Sequence, residues 1–301
     1  MSGLANQVVA IVGGSSGIGR ESALLFATQG TQTLLIARGR ERLRESVDEI
    51  RANGGKAQEF PADITSPDEV IQLANQIRSQ FGRVDVLIYG AAEFYLSPVE
   101  MMDCGLAKHA MEVNYWGAVN VTKSFLPLIR NGERKTIVFI SSLSVPCTPP
   151  FFAAYAATKH ALRGLALSLR QELKPEGIRV QMITPGPVDT PLIENYLHRG
   201  MYRLPPGIPV LQPRITAKQI YKAVIQRKQD VVVPKRMGWA ARLAYAFPSL
   251  VESYYRLSVP DWSQSIQTQI EKHKHRKHRT LEPHPTFVQS NSTVTTSEPE
   301  E

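Results

Sequence analysis

The sequence is poor in cysteine, with only Cys104 and Cys147 among its 301 residues. Two cysteines cannot form the disulfide framework of a small secreted domain, and their separation along the chain matches no metal-ligand spacing. We therefore expect free thiols in a reducing compartment and predict no metal site. Cys147 lies either near a functional site or, as the simpler interpretation, in the packed interior.

Long apolar runs are absent as well. No uncharged apolar stretch approaches the roughly 20 residues that a membrane-spanning helix needs. The first strand pattern begins at Gln7, which leaves no room for a signal peptide before it. We therefore expect a cytoplasmic protein. Apolar residues make up 43% of the chain, which is enough for the core of a single large domain.

What the sequence does contain is a regular alternation of strand and helix patterns. Continuously apolar strands separated by amphipathic helices predict an α/β fold, a doubly wound parallel sheet with helices on both faces. Ligands of such sheets bind beyond the carboxyl ends of the strands. The predicted strands are 7–12, 33–37, 56–60, 84–88, 136–140, 179–183 and 230–233. The predicted helices are 18–29, 41–52, 67–80, 106–130, 155–173 and 217–228.

A glycine-rich turn follows the first predicted strand and opens the first helix. Gly13 permits a tight turn, Gly17 lets backbone amides approach a pyrophosphate, and Gly19 allows the helix to pack closely. The positive end of the helix then faces the phosphates. Because strand, turn and helix follow without a gap, the turn predicts a Rossmann-like dinucleotide site. The residues assigned to it are Gly13, Ser15, Ser16, Gly17, Ile18 and Gly19.

A tyrosine and a lysine stand four residues apart in the segment Tyr155-Ala-Ala-Thr-Lys159. On a helix they share a face, so the lysine ammonium can favour the ionised phenol and lower its pKa. A phenol ordinarily titrates near a pKa of about 10, and a lowered value makes it a usable acid and base near neutrality. Together with the glycine turn, the pair predicts hydride-transfer chemistry.

In these motifs the chain resembles the short-chain dehydrogenase/reductase family, in its single-domain branch, over residues 5–235. The resemblance implies four catalytic residues. Tyr155 exchanges a proton with the substrate oxygen, and Ser142 hydrogen-bonds the same oxygen. Lys159 lowers the pKa of Tyr155 and holds the nicotinamide ribose, and Asn114 positions a water that resupplies the proton.

The resemblance also assigns coenzyme-binding residues beyond the glycine turn. In the family an aspartate after the third strand contacts the adenine, and a Pro-Gly segment after the sixth strand holds the nicotinamide. Two positions depart from the family pattern. Val12 replaces a threonine, and the Asn-Asn-Ala-Gly motif reads Tyr89-Gly-Ala-Ala92, which concerns local packing more than chemistry. The residues carried over are Asp63, Ala91, Tyr155, Lys159, Pro185, Gly186, Val188 and Thr190.

Coenzyme choice depends on the end of the second strand. An NAD enzyme usually has an acidic residue there to bind the adenosine ribose, whereas this chain has Arg38. A guanidinium in that place pairs with a 2′-phosphate, so the sequence favours NADP over NAD, which stays as the alternative. In this family a preference for NADP suggests NADPH as the working form and reduction as the working direction. The alternative interpretation is that Arg38 is a solvent-exposed charge without a ligand, like Arg40, Arg42 and Arg44 beside it.

The net charge of +8 is concentrated in one part of the chain. Residues 199–270 hold 11 Lys and Arg against 3 Asp and Glu, whereas the residues on either side are balanced. This part includes a C-terminal extension, 236–265, in which Pro248 breaks any long helix. Two interpretations stay open: short helices on an anionic membrane, or helices packed on the protein or at an oligomer interface. The membrane interpretation uses Trp239, Tyr245, Phe247, Leu250 and Tyr254 as its apolar face and Lys235, Arg236 and Arg242 as headgroup contacts.

The catalytic domain is thus assigned to residues 1–235, and residues 266–301 remain as a tail. The tail combines a short basic run that contains histidines with an acidic end rich in Ser and Thr. This composition predicts a disordered, solvated segment, and we expect no nucleic-acid partner.

The family builds its substrate wall from two segments, which correspond here to the loop 143–152 and the stretch 192–213. Both are apolar and aromatic, which favours a small hydrophobic, lipid-like carbonyl compound over a sugar. We expect an NADPH-preferring ketone or aldehyde reductase that forms homo-oligomers, as the family does. An NAD-dependent alcohol dehydrogenase and a cofactor-binding regulatory protein without turnover stay open as alternatives. The wall residues singled out are Tyr196, Tyr202, Leu204 and Ile208.

Overall fold

The computed structural model describes residues 3–198 and 204–258 of the chain. Within these residues, seven parallel strands form one sheet in the order β3-β2-β1-β4-β5-β6-β7. The chain starts in the middle of the sheet, builds one half outward and then returns to build the other, as expected of a doubly wound fold. The strands are β1 (Val8–Val12), β2 (Gln32–Ala37), β3 (Lys56–Pro61), β4 (Val86–Tyr89), β5 (Thr136–Ile140), β6 (Arg179–Pro185) and β7 (Asp230–Val233).

Helices cover both faces of this sheet, which confirms the predicted fold class. Helices α1, α2 and α8 pack on one face, and α3, α5 and α6 pack on the other. The helices are α1 (Gly17–Ala27), α2 (Arg40–Ala52), α3 (Pro67–Phe81), α4 (Cys104–Met111), α5 (Gly117–Arg130), α6 (Ala153–Glu172), α7 (Pro191–His198), α8 (Pro213–Gln226), α9 (Gly238–Ala246) and α10 (Pro248–Ser258).

Strand β1 shows how the apolar sequence fills two layers of core. Val8, Ala10 and Val12 belong to the apolar cluster on one face, and Val9 and Ile11 belong to the cluster on the other. Successive side chains of a strand point to opposite faces of the sheet. A continuously apolar strand is therefore what a sheet covered on both faces requires.

Helix α3 shows how local sequence sets the ends of an element. Ser66 is its N-cap, and the Ser66 hydroxyl accepts the backbone amide of Glu69 at 3.3 Å. Pro67 occupies the first turn, where it costs no hydrogen bond. The helix ends at Gly82, whose φ of 71° is the left-handed conformation of a glycine C-cap.

Several predicted elements differ in their bounds from the observed ones; the helix predicted over 217–228, for example, is observed as Pro213–Gln226. Strand β4 begins at Val86, two residues later than predicted, and the buried carboxylate of Asp85 just before it accepts the backbone amides of Val8 at 2.7 Å and Glu133 at 2.6 Å. The predicted helix 106–130 is interrupted by a π-helical turn, Glu112–Trp116, between α4 and α5.

The C-terminal extension forms the two helices α9 and α10, separated at Phe247 and Pro248 as predicted. Ala241, Ala244 and Tyr255 are their buried residues, so one side of each helix packs on the protein. Within residues 3–198 and 204–258, no helix is both long and apolar enough to cross a membrane. Residues 259–265 of the predicted extension and the predicted tail 266–301 lie outside the described residues.

Candidate active site

The glycine turn connects β1 to α1 and leaves no room for a side chain at Gly13 or Gly19. A Cβ at Gly13 would lie 2.7 Å from the backbone nitrogen of Ala91, and one at Gly19 would lie 2.1 Å from the carbonyl oxygen of Gly13. The side chain of Ser16 does not cap α1, which leaves the first amides of the helix to an anionic ligand. The other members of the turn, Ser15, Gly17 and Ile18, are partly exposed.

Tyr155 and Lys159 lie on one face of α6, and both are buried. Lys159 Nζ lies 5.7 Å from the centroid of the Tyr155 ring. It donates a hydrogen bond of 3.1 Å to the carbonyl oxygen of Ile140. Because Ile140 is the last residue of β5, this bond holds the ammonium at the carboxyl end of the sheet, beside the glycine turn.

Burial dominates the pKa values of both groups. It raises the pKa of Tyr155 to about 12, although the hydrogen bond with Ser142 acts in the opposite direction. It also lowers the pKa of Lys159 to about 8, because apolar surroundings disfavour the charged form of either group. The expected lowering of the Tyr155 pKa by Lys159 is therefore not found. At neutral pH the phenol is protonated and the ammonium is mostly charged.

Three serines follow β5 at this edge of the sheet. Ser142 hydrogen-bonds the Tyr155 phenol, and its Oγ accepts the backbone amide of Ser144 at 3.1 Å. The hydroxyls of Ser141 and Ser144 are buried at the wall of the active-site cavity, and neither has a hydrogen-bond partner among the described residues. Buried hydroxyls are normally paired, so these two are exceptions within the described residues.

Asn114 lies in the π-helical turn and is fully buried. Its Nδ2 donates to Thr158 Oγ1 at 2.8 Å and to the carbonyl oxygen of Glu93 at 2.9 Å, and its Oδ1 accepts the amide of Glu93 at 2.7 Å. The hydroxyl of Thr158 donates to the carbonyl oxygen of Tyr155 at 2.7 Å. Asn114 therefore braces the segment after β4 against α6, and its role in positioning a water stays a prediction. A π turn of this kind often marks a functional site.

Tyr89 occupies the place where the family has the first asparagine of its motif. Its ring lies 6.3 Å from that of Phe139 in the core. Its hydroxyl donates a hydrogen bond to the carbonyl oxygen of Val113 in the π turn. Burial raises the pKa of Tyr89, so the phenol keeps the proton that it donates. Tyr89 is thus part of the packed interior, whereas Gly90 and Ala92 of the altered segment are partly exposed and line the active-site cavity.

Arg38 and Asp63 lie beyond the ends of the neighbouring strands β2 and β3. Arg38 Nη2 donates to Glu93 Oε1 at 3.0 Å. The Oδ1 atom of Asp63 accepts the amide of Thr65 at 2.9 Å and its hydroxyl at 2.8 Å. Both side chains therefore lie at the same edge of the sheet as the glycine turn, and their contacts with adenosine stay predictions.

The segment after β6 packs directly on the glycine turn. A Cβ at Gly17 would lie 2.8 Å from Thr190 Cγ2. The amide of Gly186 donates to the carbonyl oxygen of Val233 at 2.8 Å, which ties the segment to β7. The two backbone segments that the resemblance assigns to the coenzyme are thus in contact. The predicted members of this segment are Pro185, Gly186, Val188 and Thr190.

An apolar cavity of about 470 Å³ opens at this edge of the sheet, and Ser142, Tyr155 and Lys159 line it. The predicted substrate segments form two of its walls. The wall residues include Leu143, Cys147, Phe152, Leu192, Leu204 and Ile208. Burial raises the pKa of Cys147, so it is a thiol near the active site. Tyr202 and the side chain of Tyr196 lie outside the described residues.

The C-terminal helices form a third wall, which the sequence analysis did not assign to the site. The hydroxyl of Tyr254 donates to the carbonyl oxygen of Pro206 at 2.6 Å, and that of Tyr255 donates to the carbonyl oxygen of Cys147 at 3.3 Å. These bonds attach α10 to both substrate segments. The wall residues from α9 and α10 include Trp239, Leu243, Leu250, Val251, Tyr254 and Tyr255.

Phe94 is a second contributor that the sequence analysis missed. Its ring centroid lies 4.6 Å from that of Tyr155 and 5.4 Å from that of Phe152, in edge-to-face arrangements. The only feature of the sequence that could have indicated Phe94 is an aromatic residue two positions after the altered segment 89–92.

Thr158 was also missed by the sequence analysis. The feature that could have indicated it is a hydroxyl residue directly before Lys159.

Comparisons with known proteins agree with this geometry. The family model described as short chain dehydrogenase matches residues 7–199. Dehydrogenase/reductase SDR family member 7B of Danio rerio is 33% identical over 238 residues, which cover 76% of this chain and 77% of the relative. An uncharacterized oxidoreductase of Mycobacterium tuberculosis is 32% identical over 233 residues, which cover 76% of this chain and 67% of the relative.

Solved structures share the fold as well. The actinorhodin polyketide ketoreductase with NADPH is similar with a TM-score of 0.70 at 27% identity, over 77% of this chain and 97% of that chain. A short-chain dehydrogenase/reductase from Burkholderia phymatum shows the same fold with a TM-score of 0.74 at 22% identity, over 83% of this chain and 96% of that chain. The chain therefore belongs to the short-chain dehydrogenase/reductase family and is an NAD(P)-dependent oxidoreductase.

Proposed function

We propose that the protein is an NADPH-preferring reductase that converts the ketone or aldehyde group of a hydrophobic, lipid-like substrate to an alcohol. The observation that carries this proposal is a buried Tyr155 with a raised pKa, hydrogen-bonded by Ser142 on the wall of an apolar cavity. A phenol that keeps its proton at neutral pH is ready to give it to a carbonyl oxygen, which is the direction of reduction.

The side chains around the cavity have distinct roles in this reaction. The coenzyme, when bound, supplies the hydride. Tyr155 gives its proton to the substrate oxygen as negative charge develops there, and the Ser142 hydroxyl donates a hydrogen bond to the same oxygen. The positive charge of Lys159 stabilises the resulting phenolate. The hydrogen bond from Lys159 Nζ to the Ile140 carbonyl oxygen holds the ammonium in place. A proton from solvent then restores Tyr155.

The residues at the sheet edge fit a dinucleotide. The backbone amides of the turn around Gly17 and the positive end of α1 would hold the pyrophosphate, and Gly13 would permit the tight turn that brings them there. The segment 185–190 would hold the nicotinamide. Arg38 would bind the 2′-phosphate, since no acidic residue ends β2. Of the similar solved structures, the ketoreductase holds NADPH and the Burkholderia phymatum protein holds NAD, so the proposed preference rests on Arg38.

The proposed substrate class rests on the composition of the cavity wall. Phe94, Phe152, Leu204 and Leu243 are among its side chains, and they present carbon rather than hydrogen-bonding groups. Burying sugar hydroxyls against such a wall would leave them without partners, at a cost of about 1–3 kcal/mol each. The wall instead stabilises an apolar chain or ring system next to the reacting carbonyl.

We further propose that the surface of α9 and α10 contacts anionic membranes. Trp239 is 66% exposed and Leu250 is 59% exposed, yet both also line the cavity. Leu257 continues the apolar surface, and the exposed cations Lys235 and Arg242 lie on the same short stretch of chain. An exposed apolar surface with adjacent cations favours an anionic bilayer. A lipid substrate would then enter the cavity from the membrane side.

Homo-oligomer formation, which the family resemblance implies, is also proposed for this chain. Leu106 on α4, Trp116 in the π turn and Leu167 on α6 are large apolar side chains that stay exposed in the single chain. A second copy would bury them. Light scattering coupled to size-exclusion chromatography is the direct measurement, and a monomer at micromolar concentration would refute the proposal.

A panel of carbonyl compounds, offered with NADPH and with NADH, tests the proposed function. We expect NADPH oxidation with apolar ketones or aldehydes, catalytic efficiency that rises with chain length, and little turnover of sugars. Activity confined to alcohol oxidation with NAD would instead support the NAD-dependent alcohol dehydrogenase of the same fold.

A further inference from the structure

An ion pair spans the glycine turn at the adenosine end of the site. Arg38 follows β2 and Glu93 lies beyond β4, and these two strands flank β1, whose end carries the glycine turn. The guanidinium and the carboxylate are 3.0 Å apart, with side-chain exposures of 54% and 38%. The pair therefore lies where the adenosine half of a dinucleotide must approach.

The backbone of Glu93 is held in place, which keeps its side chain within reach of Arg38. The Asn114 side chain accepts the Glu93 amide at 2.7 Å and donates to the Glu93 carbonyl oxygen at 2.9 Å. Asn114 is in turn held by Thr158 of α6. The backbone of Glu93 is therefore held at the edge of the proposed coenzyme site, and its carboxylate reaches Arg38 from there.

We propose that Glu93 is a specificity-determining residue for the coenzyme, because its carboxylate competes with the 2′-phosphate of NADPH for Arg38. This inference rests on the proposed role of Arg38 in binding NADPH. A phosphate that reaches Arg38 meets a second negative charge beside the guanidinium, and it must displace an existing ion pair. NADH has no phosphate at this position, so Glu93 neither competes with it nor repels it there.

The decisive variant is Glu93→Gln, which removes the charge and keeps the size of the side chain. The backbone bonds to Asn114 do not involve the carboxylate, so they are retained. Exposed ion pairs contribute little individually, so we expect the NADPH Kd to fall roughly three- to tenfold while the NADH Kd stays within about twofold. The measurement is titration of each coenzyme by fluorescence or calorimetry, without substrate.

The matched control is Glu133→Gln. Glu133 accepts a hydrogen bond from Arg83 at 2.6 Å, and Arg83 precedes β4 while Glu133 precedes β5, so the pair lies at the opposite, amino end of the sheet. This substitution removes an exposed carboxylate that is paired with an arginine, as Glu93→Gln does. The Kd values of Glu133→Gln for NADPH and NADH should both stay at their wild-type levels. If Glu133→Gln lowered the NADPH Kd as much as Glu93→Gln does, the proposal would be overturned.

The double variant Arg38→Ala/Glu93→Gln separates this inference from the function on which it rests. Because competition requires Arg38, Glu93→Gln should improve NADPH binding clearly less in the Arg38→Ala background than in the wild type, and an equally large improvement in both backgrounds would overturn competition for Arg38. A coenzyme preference that responds to Arg38→Ala but not to Glu93→Gln overturns the role of Glu93 alone. A preference that responds to neither substitution overturns the role of Arg38 as well. An equal gain for NADPH and NADH would also refute competition for the phosphate.

Discussion

The hydroxyl of Tyr89 occupies the space that a side chain at Gly117 would need. A Cβ at Gly117 would lie 2.7 Å from Tyr89 Oη and 2.9 Å from Ile64 Cδ1. Gly117 opens α5 directly after the π turn, and the same hydroxyl donates to the Val113 carbonyl within that turn. The position of Tyr89, which replaces the family's asparagine, thus requires a glycine at the start of α5.

Substitution Gly117→Ala should destabilise the protein. In an unconstrained helix interior this change stabilises by about 1 kcal/mol, but here the added methyl meets Tyr89 and Ile64. We expect a loss of about 1–3 kcal/mol in the free energy of unfolding, as for other overpacked cores. Urea unfolding followed by circular dichroism measures it. The double variant Tyr89→Phe/Gly117→Ala should recover part of the loss, because the nearest clashing atom is gone.

The control for this prediction is Gly164→Ala on α6. Apart from its chain neighbours and the backbone of its own helix, no described heavy atom lies within 4 Å of a Cβ built at Gly164, so this substitution should stabilise by about 1 kcal/mol. If Gly117→Ala proved as stabilising as Gly164→Ala, the proposed dependence between Tyr89 and Gly117 would be wrong.

The substitution Tyr155→Phe tests the proton donor. The phenylalanine keeps the edge-to-face contact with Phe94 and removes only the hydroxyl. We expect kcat to fall by a factor on the order of 100 or more, while the Kd for NADPH stays close to that of the wild type. Steady-state kinetics and coenzyme titration give the two numbers, and near-normal turnover would rule out Tyr155 as the acid.

The pH dependence of reduction should follow Lys159. Its pKa is lowered to about 8, so the ammonium loses its proton as the pH rises through that value. The Tyr155 pKa of about 12 keeps the phenol protonated over the same range. Since the phenolate formed in the reaction then lacks its stabilising charge, kcat/KM for reduction should fall above about pH 8.

The variant Lys159→Arg distinguishes this explanation from a general effect of alkaline pH. A guanidinium stays charged well above pH 8, so the alkaline fall should disappear or move to higher pH, even if the maximal rate is lower. A fall at the same pH in this variant would show that another group titrates.

The parts of this site that the sequence predicted are local in the chain. The glycine turn is contiguous with its strand and helix, and Tyr155 and Lys159 are one helical turn apart, so pattern alone assigned them. The parts that it missed are contacts between distant segments. Phe94 reaches Tyr155, and α10 closes the cavity, only because the fold brings them together.

The pKa of Tyr155 and the ion pair of Arg38 also depend on contacts that the sequence pattern does not show. The spacing of Tyr155 and Lys159 correctly predicts a shared face, yet it predicts a lowered Tyr155 pKa where burial raises it. Desolvation depends on everything that surrounds a group, which a spacing of four residues does not describe. Likewise, Arg38 was identified from its place after a strand, but its ion pair with Glu93 joins residues 55 positions apart.

Substitution Arg38→Ala tests the coenzyme preference. A charge-assisted bond to a phosphate contributes about 1.5–3 kcal/mol, so the NADPH Kd should rise by about tenfold or more. The NADH Kd should change by less than about twofold, because that coenzyme has no 2′-phosphate to lose. Equal Kd values for the two coenzymes in the wild type would leave Arg38 without this role.

The surface of α9 and α10 should attach the protein to anionic membranes. Trp239, Phe247, Leu250 and Leu257 are 66%, 54%, 59% and 77% exposed, and the cations at 235, 236 and 242 can each contribute about 1 kcal/mol at an anionic surface. We expect the protein to sediment with anionic liposomes at low salt. Binding should weaken at high salt and with neutral liposomes.

The variant Leu257→Asp tests which surface binds, because Leu257 is highly exposed and is not among the residues that line the cavity. It should reduce sedimentation while leaving the turnover of a short, water-soluble ketone unchanged. Ile71→Asp is the matched control, since Ile71 is a half-exposed apolar residue on α3, and it should bind liposomes like the wild type. A protein that stays in the supernatant with anionic liposomes at low salt would instead favour a subunit contact at α9 and α10, and the case for a lipid substrate would lose this support.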